Sequence, residues 1–228
     1  LGAKGAVAFD IAAACSGFNY ALDIAEKYLA SGSVKTALVI AADCLSKVIN
    51  WKDRGTCVLF GDGASACVVS YGKPGYTIEN VSLGADGEQS DLLILPAGGS
   101  KRPASYETVQ DGLHFLQMEG REVFKHAVTR FPEVIIEGLE CNNLNIDDVS
   151  LVIPHQANYR ITQAVQKRLG VSDDKVFSNI HKYGNTTAAS VGIALTEAID
   201  EGKINKNDIV VLAAFGAGFY WGSVIIKW

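Results

Sequence analysis

The chain carries one pattern twice, and that repeat restricts the folds open to it more than any composition could. Cys15 leads through a helical stretch to Ala30-Ser31-Gly32-Ser33-Val34 and then to the apolar run Ala37-Leu38-Val39-Ile40. Asn185 leads through a second helical stretch to Asp200-Glu201-Gly202-Lys203-Ile204 and the run Ile209-Val210-Val211-Leu212. Gly32 follows Cys15 by 17 residues, and Gly202 follows Asn185 by the same 17. Each copy then reaches a Phe-Gly-x-Gly turn, Phe60-Gly61-Asp62-Gly63 and Phe215-Gly216-Ala217-Gly218; the second copy lacks a counterpart of 44–56. Two strand-helix units can resemble each other by chance, but the matched offsets favour duplication. A duplicated half-domain implies a pseudo-twofold axis with a site between the halves. Cys15 and Asn185 then hold equivalent places at loop ends just before helices, where unpaired N–H groups favour negative charge.

Short apolar runs barely alternate and predict strands covered on both faces: Val7–Ile11, Ala37–Ala42, Cys57–Phe60, Ala66–Ser70, Val149–Ile153, Ile209–Phe215 and Ser223–Trp228. Helical patterns lie between them at Gly17–Ala30, Glu119–Phe131, Val134–Cys141, Tyr159–Leu169 and Thr186–Asp200, with Pro132 expected to break or kink the middle of the chain's longest pattern. The alternation predicts a layered α/β fold. Leu95–Thr108, with two prolines and two glycines, reads as a surface loop. At 228 residues, 48% hydrophobic and 20% charged, one or two domains can bury a core. The 25 acidic against 20 basic residues leave a net charge of −5, which argues against nucleic acid or an anionic membrane as partner. No apolar run is long enough to span a bilayer. The opening Leu-Gly-Ala-Lys has neither initiator Met nor signal pattern and reads as a start in mid-protein.

Five cysteines, Cys15, Cys44, Cys57, Cys67 and Cys141, make an odd number without CxxC spacing. Neither a disulfide framework nor a metal site is expected; free thiols in a reducing cytoplasm are, most of them buried as small hydrophobes. Cys15 stands apart. In Ala12-Ala13-Ala14-Cys15-Ser16-Gly17 a strand ends, small residues permit a tight turn, and a helix dipole is expected to lower the thiol pKa. A buried inert cysteine is the bland alternative. His155, in Ile153-Pro154-His155-Gln156-Ala157-Asn158, is presented from a loop at a strand end, where α/β folds place functional groups, although a simply hydrogen-bonded histidine would look the same. His114, His126 and His181 read as surface residues. Asn185 taken alone could be a helix cap; its equivalence to Cys15 favours a functional reading. The Gly-rich turns lead into strands and so fail the context of a dinucleotide-binding loop. The turn at Ala217 reads instead as the source of a backbone N–H that, with that of Cys15, forms an oxyanion hole.

Together these segments, with Asp53-Arg54-Gly55-Thr56 and Phe219-Tyr220-Trp221-Gly222-Ser223, closely resemble β-ketoacyl-[acyl-carrier-protein] synthase III of the thiolase superfamily over essentially the whole chain. The resemblance implies an α-β-α-β-α layered fold from two duplicated half-domains: residues 1–140 as the C-terminal portion of the first half, with the cysteine, and 141–228 as the second, with His155 and Asn185. The family's opening third has no counterpart here. The resemblance also implies a ping-pong reaction through an acyl-Cys15 intermediate, in which acyl-CoA is substrate and no cofactor is required. Malonyl-carrier protein then loses carbon dioxide and condenses with the acyl group. It assigns substrate binding to Arg54, Phe60, Met118, Gly120, Phe124, Ala157, Asn158 and Phe215, with Arg121 where the family often has Asn. It assigns carrier-protein docking to Lys125, Arg160, Lys167 and Arg168. Of these, Arg160, Lys167 and Arg168 share a helix face by their spacing, which in itself also suits a merely solvated surface. A homodimer is implied by the family.

Three alternatives stay open. A relative condensing other acyl groups in secondary metabolism could keep the same site. A papain-like peptidase shares the Cys-His-Asn order but requires a Cys-Gly-x-Cys-Trp context that is absent. A non-catalytic fragment would form no acyl adduct.

Overall fold

The computed structural model describes residues 2–72 and 75–228. Its elements in chain order are α1 (Gly17–Ala30), β1 (Thr36–Asp43), β2 (Gly63–Ser70), β3 (Thr77–Ala85), β4 (Leu93–Ile94), α2 (Tyr106–Gln110), β5 (Gln117–Met118), α3 (Gly120–Glu140), β6 (Leu151–Pro154), α4 (Tyr159–Leu169), α5 (Ile180–Tyr183), α6 (Ala189–Asp200), β7 (Ile209–Gly216) and β8 (Tyr220–Lys227). A central sheet runs β3-β8-β7-β6, with β6 and β7 parallel and the other pairs antiparallel. Its strands serve two cores because successive side chains point to opposite faces. Val210, Leu212 and Ala214 of β7 join Leu151, Ile153, Val224 and Ile226 against α1 and α6. Val211, Ala213 and Phe215 join Val152 and Ile225 against α3 and α4. The antiparallel pair β1-β2 covers the far side of α1 and α6 through Val39 and Ala41. Among the described residues the layers therefore run helices, sheet, helices, sheet, four of the five expected of the α-β-α-β-α arrangement.

The repeat is visible in the backbone. Each copy is a helix followed by an antiparallel strand pair: α1-β1-β2 and α6-β7-β8. Gly32 and Gly202 close their helices in the left-handed region, at φ 72° and 67°. The residues just ahead of Cys15 and Asn185 are left-handed too: Ala14 at φ 43° and Gly184 at φ 67°.

Some expectations gave way. Val7–Ile11 is not a strand: no neighbour among the described residues offers it a ladder, and Val7 stays 90% exposed. The outer face of β1-β2 is likewise open, with Ile40 and Val68 exposed. Cys57–Phe60 folds as turns. Cys57 N donates to Asp53 O at 3.0 Å and Leu59 N to Thr56 O at 3.0 Å, while the Asp53 carboxylate accepts from Gly55 N and Thr56 Oγ1. Pro132 does not break α3, which runs through it. The Val128 carbonyl that the proline leaves without an N–H instead accepts from Arg168 Nη1 at 3.2 Å. The expectation of mostly buried cysteines also fails, because only Cys15 is buried and Cys44 and Cys141 are exposed. Cys44 lies on a surface turn, with Sγ donating to Asp62 Oδ2 at 3.3 Å. Of the other histidines only His181 is exposed; His126 packs on Phe219 at 5.2 Å and His114 pairs with Thr108 Oγ1 at 2.9 Å. Strand β3 was missed because Glu79, Asn80 and Ser82 dilute its apolar pattern; it lies at the sheet edge, where polar side chains are tolerated.

Candidate active site

The site forms where the C-terminal ends of parallel β6 and β7 meet the starts of α1 and α6. Cys15 sits in a 3-10 turn, Ala14–Ser16, that runs directly into α1. Ser16 makes no helix cap; its hydroxyl donates to Tyr220 O at 3.0 Å, and Asn19 Nδ2 donates to Gly222 O at 2.9 Å. These two bonds pin the start of α1 to the β7-β8 hairpin. Gly216 at the end of β7 lies so close that a Cβ there would stand 2.5 Å from Cys15 Cβ and 3.0 Å from its sulfur. Only glycine fits. With Cys15 as the nucleophile, Gly216→Ala should displace it and lower acyl-enzyme formation about 100-fold, the order of loss expected of an ångström-scale misplacement. Its overpacking should cost about 1–3 kcal/mol in stability, read by rapid-quench mass spectrometry and thermal unfolding. Unchanged acylation would show that the close packing has no bearing on the thiol.

Burial pushes the Cys15 thiol up to about 12, with the Asp43 charge adding to the rise and the backbone N–H groups of Cys15 and Ala217 pulling the other way. The expected lowering by the helix start is thus overridden by desolvation. Ionising this thiol in advance at neutral pH would cost about 7 kcal/mol, at 1.36 kcal/mol per pH unit. A nucleophilic thiol in this setting would lose its proton as the sulfur attacks. The N–H groups of Cys15 and Ala217 lie close enough to the sulfur to act on it.

His155 follows β6 and extends its ladder, with its N–H donating to Ala213 O at 2.7 Å. The imidazole is 1% exposed. Burial pushes its pKa down to about 3, opposed by the Thr187 backbone beside the ring, so the ring is neutral at physiological pH. Nδ1 lies 2.5 Å from Ser190 Oγ, whereas Nε2 is buried without a hydrogen-bond partner among the described residues.

Asn185 is held from both sides by the Val58–Gly61 turn: its N–H donates to Leu59 O at 2.8 Å and its carbonyl accepts from Gly61 N at 2.9 Å. Phe60 thereby bridges to it. Asn185 Oδ1 accepts from Thr187 N at 2.9 Å, which leaves the amide NH2 as the free end. This turn delays α6 to Ala189, later than the expected Thr186, and puts the β-branched Thr187 at φ 49°. Such a conformation costs on the order of 1–3 kcal/mol and persists only where its surroundings impose it. Here the Thr187 hydroxyl donates to the Asp43 carboxylate. Thr187 thus contacts two of the three residues directly and one through a partner: its N–H holds Asn185, its backbone adjoins His155, and the charge of its partner Asp43 acts on Cys15.

The outer assignments scatter. Ala157 and Asn158 line a cleft of about 780 Å³ with Val58, Leu59, Thr162 and Gly184. Asn158 Oδ1 is already engaged, accepting from Arg160 N to cap α4. Arg54, Gly120 and Arg121 are exposed and Met118 and Phe124 half-buried, none of them lining that cleft. Phe215 is buried against Phe131, Phe219 and Trp221 in the second core. Lys125 pairs with Glu122 at 2.7 Å and Arg168 with Glu133 at 3.9 Å, while Arg160 and Lys167 are exposed. Sequence reasoning missed Asp43, Thr187 and Ser190. Asp43 ends a predicted strand and Thr187 follows Asn185 by two, but neither spacing signals a shared contact. Among the described residues no helix is long and apolar enough to cross a membrane.

Comparison with known proteins places the chain in a family. Residues 9–87 match the family model 3-oxoacyl-[acyl-carrier-protein] synthase III, and residues 139–228 match the model of that family's C-terminal part. The chain is 54% identical over its whole length to the β-ketoacyl-[acyl-carrier-protein] synthase III of Caldanaerobacter subterraneus subsp. tengcongensis, of which it spans 69%. Against the corresponding protein of Chlamydia trachomatis serovar D it is 52% identical, again over its whole length, and spans 70%. The crystal structure of 3-oxoacyl-[acyl-carrier-protein] synthase III from Aquifex aeolicus superposes with a TM-score of 0.88 at 46% identity, covering 99% of this chain and 68% of that one. Fold and relatives together define an acyl-condensing enzyme of the thiolase-like class. More narrowly, the chain belongs to the 3-oxoacyl-[acyl-carrier-protein] synthase III family, whose reaction is the condensation that initiates fatty acid synthesis.

Proposed function

We propose that Cys15, His155 and Asn185 carry a decarboxylative condensation of acyl-CoA, with acetyl-CoA as primer, and malonyl-[acyl-carrier protein]. One observation supports this most: a neutral imidazole with an unpartnered buried nitrogen accompanies a carboxamide whose oxygen is already engaged. Two neutral donors suit an oxygen that becomes negative without a full proton transfer. In the first half-reaction the Cys15 sulfur bonds to the acyl carbon and the carbon–sulfur bond to CoA breaks. The thiol proton ends on the departing CoA sulfur, and the N–H groups of Cys15 and Ala217 hold the transient oxyanion. In the second, the malonyl thioester loses carbon dioxide and its electron pair moves to the α-carbon. His155 Nε2–H and Asn185 Nδ2–H hold the enolate oxygen. That carbon attacks the acyl-cysteine and expels the sulfur, which regains a proton.

Phe60 shapes the acyl pocket, and the exposed Arg160 and Lys167 suit an acidic carrier protein. The free thiols suit a reducing cytoplasm, and the family resemblance suits an enzyme that takes a CoA thioester as substrate without a further cofactor and works as a homodimer. The test supplies the full chain with labelled acetyl-CoA and malonyl-carrier protein and follows acetoacetyl-carrier protein. Turnover only with a different acyl pair would replace the primer assignment.

A further inference from the structure

We propose that Ser190 is a positioning residue that sets the tautomer of His155, its hydroxyl donating to Nδ1 so that Nε2 carries the hydrogen. The proposal rests on the reading of His155 as a neutral donor and adds the group that makes it one. A neutral imidazole has one N–H and one bare nitrogen, and its partner decides which is which. Ser190 is 2% exposed at the start of α6. Its oxygen has two neighbours, Nδ1 of His155 at 2.5 Å and the N–H of Gln156 at 3.3 Å. Gln156 N can only donate, so the serine oxygen is an acceptor there. If Nδ1 also donated, the hydroxyl hydrogen would have no acceptor among the described residues in a buried place, an arrangement folded proteins avoid. If instead the hydroxyl donates to Nδ1, both the serine and Nδ1 are satisfied and Nε2–H is the one group of this set left buried and unpartnered among the described residues, its hydrogen free for an incoming oxygen.

The support behind Ser190 is rigid. Gln156 Nε2 donates to Pro154 O at 2.6 Å, and its Oε1 accepts from Ser178 Oγ at 2.9 Å and Asn179 N at 3.1 Å. Gln156 is thereby tied to Pro154 and to residues 178–179, and its own N–H reaches Ser190 in α6. The sequence alone could not show this, because Ser190 and His155 are 35 residues apart and lie on different elements.

The test measures 15N shifts of the four histidines in labelled protein, assigning His155 by substitution. The wild type should show the Nε2–H form, and Ser190→Ala a mixed or Nδ1–H form. Ser190→Ala should also slow decarboxylation and condensation about 10- to 100-fold, as loss of a ring-orienting partner does elsewhere. Acyl-cysteine formation, which uses other groups, should stay within a few-fold, and Ser190→Thr should restore most of the lost rate. A wild-type Nδ1–H tautomer would overturn the proposal, and so would an unchanged condensation rate in Ser190→Ala. If His155→Ala itself left condensation intact, the donor reading of His155 would fall instead. Those outcomes are separable.

Discussion

Cys15→Ser will leave the protein unable to retain an acyl group: intact-mass analysis after mixing with acetyl-CoA will show an acetyl increment on the wild type and none on the variant. Enzymes that work through a covalent intermediate lose on the order of a million-fold in kcat when the nucleophile is removed, and a loss of at least 10⁴-fold is expected here. The variant should fold, since serine and cysteine differ little in size and the site is braced by Ser16, Asn19 and Gly216. A second property follows from burial. With a pKa near 12, the thiol should react with iodoacetamide at a rate still rising about tenfold per pH unit at pH 9, because the thiolate is the nucleophile. Peptide mapping separates Cys15 from exposed Cys44 and Cys141. A plateau near pH 7 would show a preformed thiolate and reverse the conclusion that the proton leaves during attack. An acetyl increment surviving in Cys15→Ser would refute the assignment of the nucleophile.

His155→Ala and Asn185→Ala should each lower condensation about 100- to 1,000-fold, the usual penalty for losing one donor to a developing oxyanion. Acyl-cysteine formation should survive both changes, because its oxyanion is held by backbone N–H groups. The two half-reactions are measured apart, by mass after acetyl-CoA alone and by carbon dioxide release from malonyl-carrier protein. Since burial holds the His155 pKa near 3, the ring stays neutral between pH 5 and 8. The wild-type condensation rate should accordingly show no inflection from this histidine in that range. A descending limb near pH 6.5 that vanishes in His155→Ala would mean that the ring titrates and acts as a proton carrier. Equal loss of both half-reactions would place His155 and Asn185 in a general structural role.

Much of this was legible in one dimension. The equal offsets from Cys15 to Gly32 and from Asn185 to Gly202 end in left-handed glycines that close α1 and α6, although α6 at 12 residues is shorter than α1 at 14 because the turn after Asn185 delays its start. Helices α1 and α4 begin and end where apolar periodicity and flanking residues put them. Helix α3 did not follow its local signal, because the carbonyl freed by Pro132 is satisfied by an arginine from α4. The Val7–Ile11 run has the composition of a strand, yet a strand exists only when another pairs with it.

What the sequence determined by itself was the period of each element, the turn residues that end them, and the presence of a thiol, an imidazole and an amide at loop ends. Those properties depend on residues within a few positions of one another. The protonation state of Cys15, the freedom of His155 Nε2 and the link from Asp43 through Thr187 to Asn185 were decided only by the packed fold. Desolvation and hydrogen-bond pairing depend on what surrounds an atom in three dimensions. Here the surroundings come from segments more than a hundred residues apart: Thr187 reaches Asp43 across 144 positions.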